Sequence, residues 1–206
     1  IYPNPNLKPE SGWSTEIGIK QGVRLGNWMG YLDVAGFLMQ YDNMMEFSFG
    51  GWGTVDDPMG GIGFKSVNVG KTQISGIEIS LSGQGKINDN VAINILAGYT
   101  YMNPISLSPD EVYGYDIEFG DDTIAEYTYN NSSSDSTVLK YRYQHIAKID
   151  AEIAYKKLSL GTSFRYNDFM RNIDKIFTSY IINKGLDYDG DGINDFDGIP
   201  GINDAR

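Results

Sequence analysis

Apolar and polar residues alternate with a period of two in six stretches of this chain, and the period of an amphipathic helix is essentially missing. The clearest stretch begins at Leu139. Every second residue runs Leu139, Tyr141, Tyr143, His145, Ala147, Ile149, Ala151, Ile153 and Tyr155, whereas the mostly charged set Lys140, Arg142, Gln144, Ile146, Lys148, Asp150, Glu152 and Ala154 falls between them. The six stretches predict strands at about 11–24, 28–42, 68–83, 90–102, 139–155 and 158–169. Short turn signals (LGN, GKINDN, KKLS) separate the first strand from the second, the third from the fourth and the fifth from the sixth. Long connections at about 43–67 and 103–138 separate the pairs, and everything after about 170 reads as loop.

Placement of aromatics sharpens this picture. Trp28 and Tyr155 fall beside short turns, whereas Tyr99, Tyr101, Tyr141, Tyr143, Phe164 and Tyr166 fall toward the long connections. Small and aliphatic residues fill the apolar face between them. From Tyr143 to Tyr155 a strand rises roughly 40 Å at about 3.3 Å per residue. Tilted by about 45°, it gains a height near ~28 Å, close to the ~25 Å apolar band between the aromatic girdles of an outer-membrane barrel. Tyrosine suits such a girdle because its ring is apolar and its hydroxyl seeks water or headgroups. Short turns on one side and long loops on the other are the connection pattern of those barrels. A soluble sheet with one wet face also alternates, and it is the competing reading. The expected fold is therefore all-β, an antiparallel transmembrane β-barrel segment of about six strands.

Composition narrows the function classes. The chain has 206 residues, a net charge of -11, one histidine and no cysteine. An acidic balance without a basic stripe excludes nucleic acid as a partner. Without cysteine there is no disulfide, thiolate zinc site or thiol chemistry. No apolar run is long enough for a membrane helix, but alternating strands hide their apolar surface from a running average. Ile1 is not an initiator and the chain stops in the loop-like GIPGINDAR, which predicts an excerpt of a longer polypeptide.

Candidate chemistry is confined to the loops. In DYDGDGINDFDG, Asp187, Asp189 and Asp191 stand at positions 1, 3 and 5, Gly192 allows the turn, Ile193 offers a carbonyl at 7, and Asp195 stands at 9. Hard oxygens at this spacing suit Ca²⁺, although Gly198 replaces the bidentate glutamate of a complete EF-hand loop. The alternative is a solvated acidic loop. Trp52 in the glycine-rich connection, and Asp110, Glu111, Tyr113 and Tyr115 in the next one, are candidates for touching a ligand or partner; anchoring or plain solvation of the loop is the alternative. Glu16, Glu78, Asp150 and Glu152 would line a wet lumen, salt-bridging with Lys20, Arg142 or Lys148. His145 lies on the lipid-facing parity beside the upper girdle, where an interfacial neutral imidazole is expected. No nucleophile–base pair or phosphate-binding glycine loop stands out, and an enzyme is not expected.

Several segments resemble TonB-dependent outer-membrane receptors. NPNLKPESGWSTEIGIKQG resembles that family's entry into a barrel strand, and VNVGKTQISGIEISL resembles its glycine–glutamate strand. LKYRYQHIAKIDAEIAY with SFRYNDFMRNIDKIF is similar to later strands, so that the likeness covers most of positions 3 to 177. The resemblance implies a 22-stranded barrel around an N-terminal plug, importing a scarce nutrient (iron chelate, cobalamin, glycan or peptide) with energy transmitted by TonB. It implies outer-membrane lipid, the remainder of the barrel, the plug and TonB as partners, with a surface lipoprotein as a further candidate, in a Gram-negative outer membrane. Plug, TonB box and an aromatic-terminated last strand do not occur in these residues, and six strands cannot close around a lumen. The rest of the chain, or another chain, would have to complete the wall. Competing readings are an outer-membrane barrel serving as a scaffold in a larger complex, and a soluble calcium-braced β-sheet adhesin or binding module.

Overall fold

The computed structural model describes residues 1–54, 56–57, 61–117, 124–175 and 177. Six long strands form one antiparallel sheet: β1 (Ser11–Leu25), β2 (Trp28–Asp42), β5 (Thr72–Asn88), β6 (Val91–Ser106), β9 (His145–Tyr155) and β10 (Leu158–Asn167), hydrogen-bonded in that order. Between β2 and β5 stands the hairpin of β3 (Met45–Gly51) and β4 (Ile62–Asn68). Between β6 and β9 stand the short hairpin of β7 (Gly114–Ile117) and β8 (Ile124–Tyr127) and one helical turn, α1 (Tyr129–Ser132). The sheet is all-β, open and not closed into a barrel.

Three tight turns bring the lower ends together. Leu25 pairs with Trp28, Asn88 with Val91, and Tyr155 with Leu158. The hairpins need a left-handed residue in the turn, and Gly26 (φ +62°) and Lys156 (φ +53°) supply it. At Asn88 the side-chain Oδ1 instead accepts from the amides of Asn90 and Val91, both at 2.9 Å.

Register is unbroken across all six strands above the bulge at Lys86–Asn88, so each residue's face can be followed from edge to edge. One row joins Ile19, Val34, Ile79, Tyr99, Ala147 and Tyr166; the next joins Gln21, Leu32, Leu81, Ala97, Ile149 and Phe164. Apart from Gln21 near one edge, these rows are apolar, and no described residue covers them: Ile17, Ile19 and Leu160 are each more than 70% exposed. The opposite face carries Lys20 with Asp33 (3.6 Å) and Arg165 with Asp150 (3.0 Å). Such an uncovered apolar band beside a charged face is unfavourable in water and is what a barrel wall between lipid and an aqueous lumen requires.

Trp28 closes the lower end of the apolar face. Its ring lies where a Cβ on Gly30 or Gly83 would stand, within 2.6 Å in both cases, so those positions accept only glycine while the indole lies flat across the sheet. On the opposite face Phe37 lies across Gly76 in the same way. Tyr31 and Phe37, which blur the sequence pattern of β2, thus belong to the lumenal parity and pair in register with Gly22 and Glu16.

Some boundaries differ from the sequence pattern. The third long strand begins at Thr72 instead of 68, and the glycine-rich connection contains a hairpin. The fifth begins at His145 instead of 139, because Lys140 and Tyr141 turn away from the sheet, Tyr141 with a φ of +56°. Tyr141 is consequently not a girdle residue, and Tyr143 precedes the strand instead of lying in it.

The two faces should respond differently to charge. Ile149→Arg, on the lipid face midway along β9, is expected to destabilise the full-length barrel by about 2–4 kcal/mol in bilayers. Leu96→Arg, on the lumenal parity of β6, should change stability by less than about 1 kcal/mol. Reversible urea unfolding into liposomes measures both.

Candidate functional site

Apart from Pro104 near the upper end of β6, the buried apolar side chains among the described residues lie outside the six long strands. Met44, Val67, Val69, Tyr129, Val138 and Leu139 are all less than 9% exposed, and all belong to the upper connections. Tyr41 and Ile74, at the upper ends of β2 and β5, pack against this cluster. Both have the lumenal parity, since Tyr41 pairs with Gly12 and Ile74 with Met39. The upper connections therefore fold as a cap on the lumenal side of the wall.

At the centre of the cap is a buried ion pair. Lys140 Nζ lies 2.5 Å from Asp174 Oδ1, with side chains 2% and 1% exposed. The remaining ammonium contacts go to Ser132 Oγ (3.0 Å) and Tyr113 Oη (3.3 Å). The rings of Tyr113 and Tyr129 stand 5.7 and 5.5 Å from the same nitrogen. Asp174 also accepts from Tyr141 Oη (2.6 Å), the Phe49 amide (3.0 Å) and Ser48 Oγ (3.3 Å). Burial, followed by the Asp174 carboxylate, pushes the Tyr141 hydroxyl well above the ordinary phenol range, which keeps it a donor.

These contacts tie three connections that are distant in sequence. Ser48 and Phe49 come from β3, Tyr113 and Ser132 from the 107–144 connection, and Asp174 from beyond β10. Asn172 adds to the clasp: its Nδ2 donates to the Val138 carbonyl (2.6 Å), and its Oδ1 accepts from the Asp135 amide (3.1 Å). Thr128 caps α1 in a reciprocal box with Asn131, which sets Tyr129 and Ser132 facing inward. An ion pair taken out of water is tolerable when every donor and lone pair is answered, and here they are. The arrangement is a clamp.

The loop residues singled out by sequence that fall within the described residues each have a definite place. Tyr113 joins the clamp, with its hydroxyl 2.5 Å from Ser132 Oγ and 3.2 Å from Ser48 Oγ. Trp52 couples the two hairpins. Its Nε1 donates to the Ser48 carbonyl (3.2 Å), its ring lies 4.9 Å from that of Tyr127, and it fills the space above Gly114. Lys65 Nζ covers the indole at 5.0 Å. Asp110 accepts from Asn130 Nδ2 (2.5 Å), Glu111 lies against Gly70, and Tyr115 is 57% exposed. Asp187, Asp189, Asp191, Ile193 and Asp195 lie outside the described residues. Among the described residues, no group of acidic residues and histidine could hold a metal ion.

Lys140, Asp174, Ser48, Ser132 and Asn172 are not candidates on sequence alone. Lys140 fitted the polar alternation of a strand, and Asp174 is 34 residues away in an unpatterned segment. Only the tertiary fold brings them together.

On the wall, Tyr99, Tyr101 and His145 form one aromatic group. Tyr99 Oη is 2.7 Å from His145 Nδ1, and the Tyr101 ring is 5.0 Å from the imidazole. All three share the apolar face, with Tyr166 in the Tyr99 row and Phe164 one row below. Trp28 and Tyr155 hold the opposite end.

A sheet with an uncovered apolar band, aromatics at both ends, tight turns below and a folded cap above defines a segment of an outer-membrane β-barrel. The chain belongs to the TonB dependent receptor-like β-barrel family, whose sequence model matches residues 1–202. That family consists of outer-membrane transport proteins of Gram-negative bacteria. No curated protein matches the chain.

Removing one member of the buried pair strands the other. Lys140→Met or Asp174→Ala should each destabilise the cap by about 3–5 kcal/mol, and Lys140→Met combined with Asp174→Leu should recover much of that loss. Hydrogen exchange of the cap amides in the full-length protein measures this, and the amides of β5 and β6 should stay protected in every variant.

Proposed function

We propose that this chain forms part of the wall and outer cap of an energy-coupled outer-membrane transporter that imports a scarce nutrient of the iron-chelate, cobalamin, glycan or peptide class. The observation that carries this reading is the placement of the cap. It is built on the lumenal parity of the strands and held by a buried clamp, so it stands at the mouth of the lumen and not against lipid. A defined structure at the mouth suits selective capture, whereas an unselective pore needs only an opening.

In this reading a ligand is first captured by the cap and by parts of the protein outside these residues. Exposed Tyr115 and Phe47 of the two hairpins are available for that contact. A plug within the completed barrel then rearranges under force from TonB and opens the way. The wall contributes a rigid, wet lumenal surface, on which Lys20–Asp33 and Arg165–Asp150 neutralise one another and Arg24, Lys86 and Lys148 balance Glu16, Glu78 and Glu152. The remaining strands of the barrel would pair with the free edges of β1 and β10, and a surface lipoprotein that covers the cap is a further partner in this reading.

Cells producing the full-length protein should accumulate the ligand in the periplasm, and deletion of the gene or collapse of the proton-motive force should each abolish that accumulation. Uptake that survives collapse would contradict energy coupling. An unchanged uptake profile on deletion, with loss of a larger outer-membrane complex, would favour a scaffold.

A further inference from the structure

Among the described residues of the cap two carboxyl groups are buried, Glu46 and Asp174, and they are treated very differently. Asp174 receives four donors. Glu46, on the inward face of β3, receives one long hydrogen bond, from Tyr129 Oη to its Oε2 at 3.4 Å, and its Oε1 is buried with no hydrogen-bond partner. Arg142 stands 3.9 Å away, beyond hydrogen-bond reach, with its side chain 37% exposed. A carboxylate needs several donors to persist out of water, and a neutral carboxyl needs far fewer. Asp174 is set up as the ion and Glu46 as the acid.

We propose that Glu46 is a proton-operated latch on the cap: neutral, it lets β3 stay seated on Tyr129 and the Lys140 clamp, and ionised, it releases the β3–β4 hairpin from them. The position allows this. Tyr129 Oη bonds both Glu46 and the Lys140 backbone amide, so Glu46 is one hydroxyl away from the clamp that ties the three connections. The charged and titratable groups around it are Arg142 and Lys140 from the connection before β9, Tyr129 from α1, Tyr113 and Tyr141 around the clamp, and Asp174 from beyond β10. On its own hairpin, Lys65 shares the inward face but is turned to Trp52, and the exposed Glu10 carboxylate accepts from the Met45 amide.

Burial, opposed by Arg142, Lys140 and Tyr129, lifts the Glu46 carboxyl from 4.5 to about 7. A raised acid stabilises the closed cap fully below its ordinary value, and that contribution is lost as pH rises toward and through the folded one. Closure is therefore complete in mild acid and relaxes near neutrality. The difference between the two values corresponds to a change in the opening equilibrium on the order of a hundredfold.

The test is hydrogen exchange of the full-length protein in liposomes from about pH 5 to about 9, with rates corrected for intrinsic pH dependence. Peptides covering 45–51 and 62–68 report the hairpin, and β5 and β6 give the internal reference. In the wild type, hairpin opening should rise on the order of a hundredfold with a midpoint near neutrality. Glu46→Gln should stay closed across the range, and Arg142→Gln should move the midpoint upward by removing the nearest opposing charge. A flat wild-type profile, a transition that persists in Glu46→Gln, or a midpoint unmoved in Arg142→Gln would each overturn the latch.

Discussion

Lipid offers no hydrogen bonds, so every backbone N–H and C=O within its depth must find a partner inside the sheet. That requirement fixes much of this structure. It demands the unbroken register from β1 to β10, and the register in turn decides which side chains meet lipid. A shift of one residue in β9 would turn Ile149 and Ile153 into the lumen and Asp150 and Glu152 into hydrocarbon. The two-residue turns below set that register. Among the described residues, the outer edges of β1 and β10 are the places where the sheet itself does not satisfy the rule.

Above the wall the solvent is water and a different principle operates. The cap cannot draw stability from lipid, and its apolar core is small: a few residues around Val67, Tyr129 and Leu139. Polar interactions supply the uniqueness. A cluster of aliphatic residues alone would let three long connections slide over one another, but Lys140 meeting Asp174 among Tyr113, Ser132, Ser48 and Tyr141 admits one arrangement. The protein thus joins a wall specified by backbone register to a cap specified by a charge pair. The second is the part that can loosen without breaching the membrane.

Much of the wall was legible in the sequence because period-two alternation is a local property. Ile93, Ile95 and Ala97 announce their face without reference to any other strand, and Trp28 and Tyr155 mark the lower boundary by position alone. Alternation misled at the start of the fifth strand for an equally physical reason. Leu139 to Tyr143 has the pattern of a strand, yet Leu139 enters the cap core and Lys140 is drawn to Asp174, which bends the chain through the left-handed conformation of Tyr141. The hairpin of β3 and β4 was obscured by its glycines, although Glu46, Ser48 and Gly50 do alternate with Met45, Phe47 and Phe49. Nothing near Asp174 in sequence announces its partner, since ion pairs across 34 residues are made by topology. Trp52 illustrates the remaining ambiguity: an aromatic in a glycine-rich loop serves ligand capture and loop anchoring equally well on paper, and only its contacts with Ser48 and Tyr127 show that it joins the two hairpins.

One face of the sheet meets lipid and the other meets water, and the division runs the length of β9. Single nitroxide labels placed in turn at positions 148 to 153 of the full-length protein in bilayers measure this directly, through collision with oxygen and with an aqueous paramagnetic reagent. Labels at Ile149, Ala151 and Ile153 should be relaxed by oxygen, and labels at Lys148, Asp150 and Glu152 by the aqueous reagent, in strict alternation. Uniform access of the aqueous reagent along β9 would contradict the account, because it would place both faces in water and leave the apolar rows without a solvent that suits them.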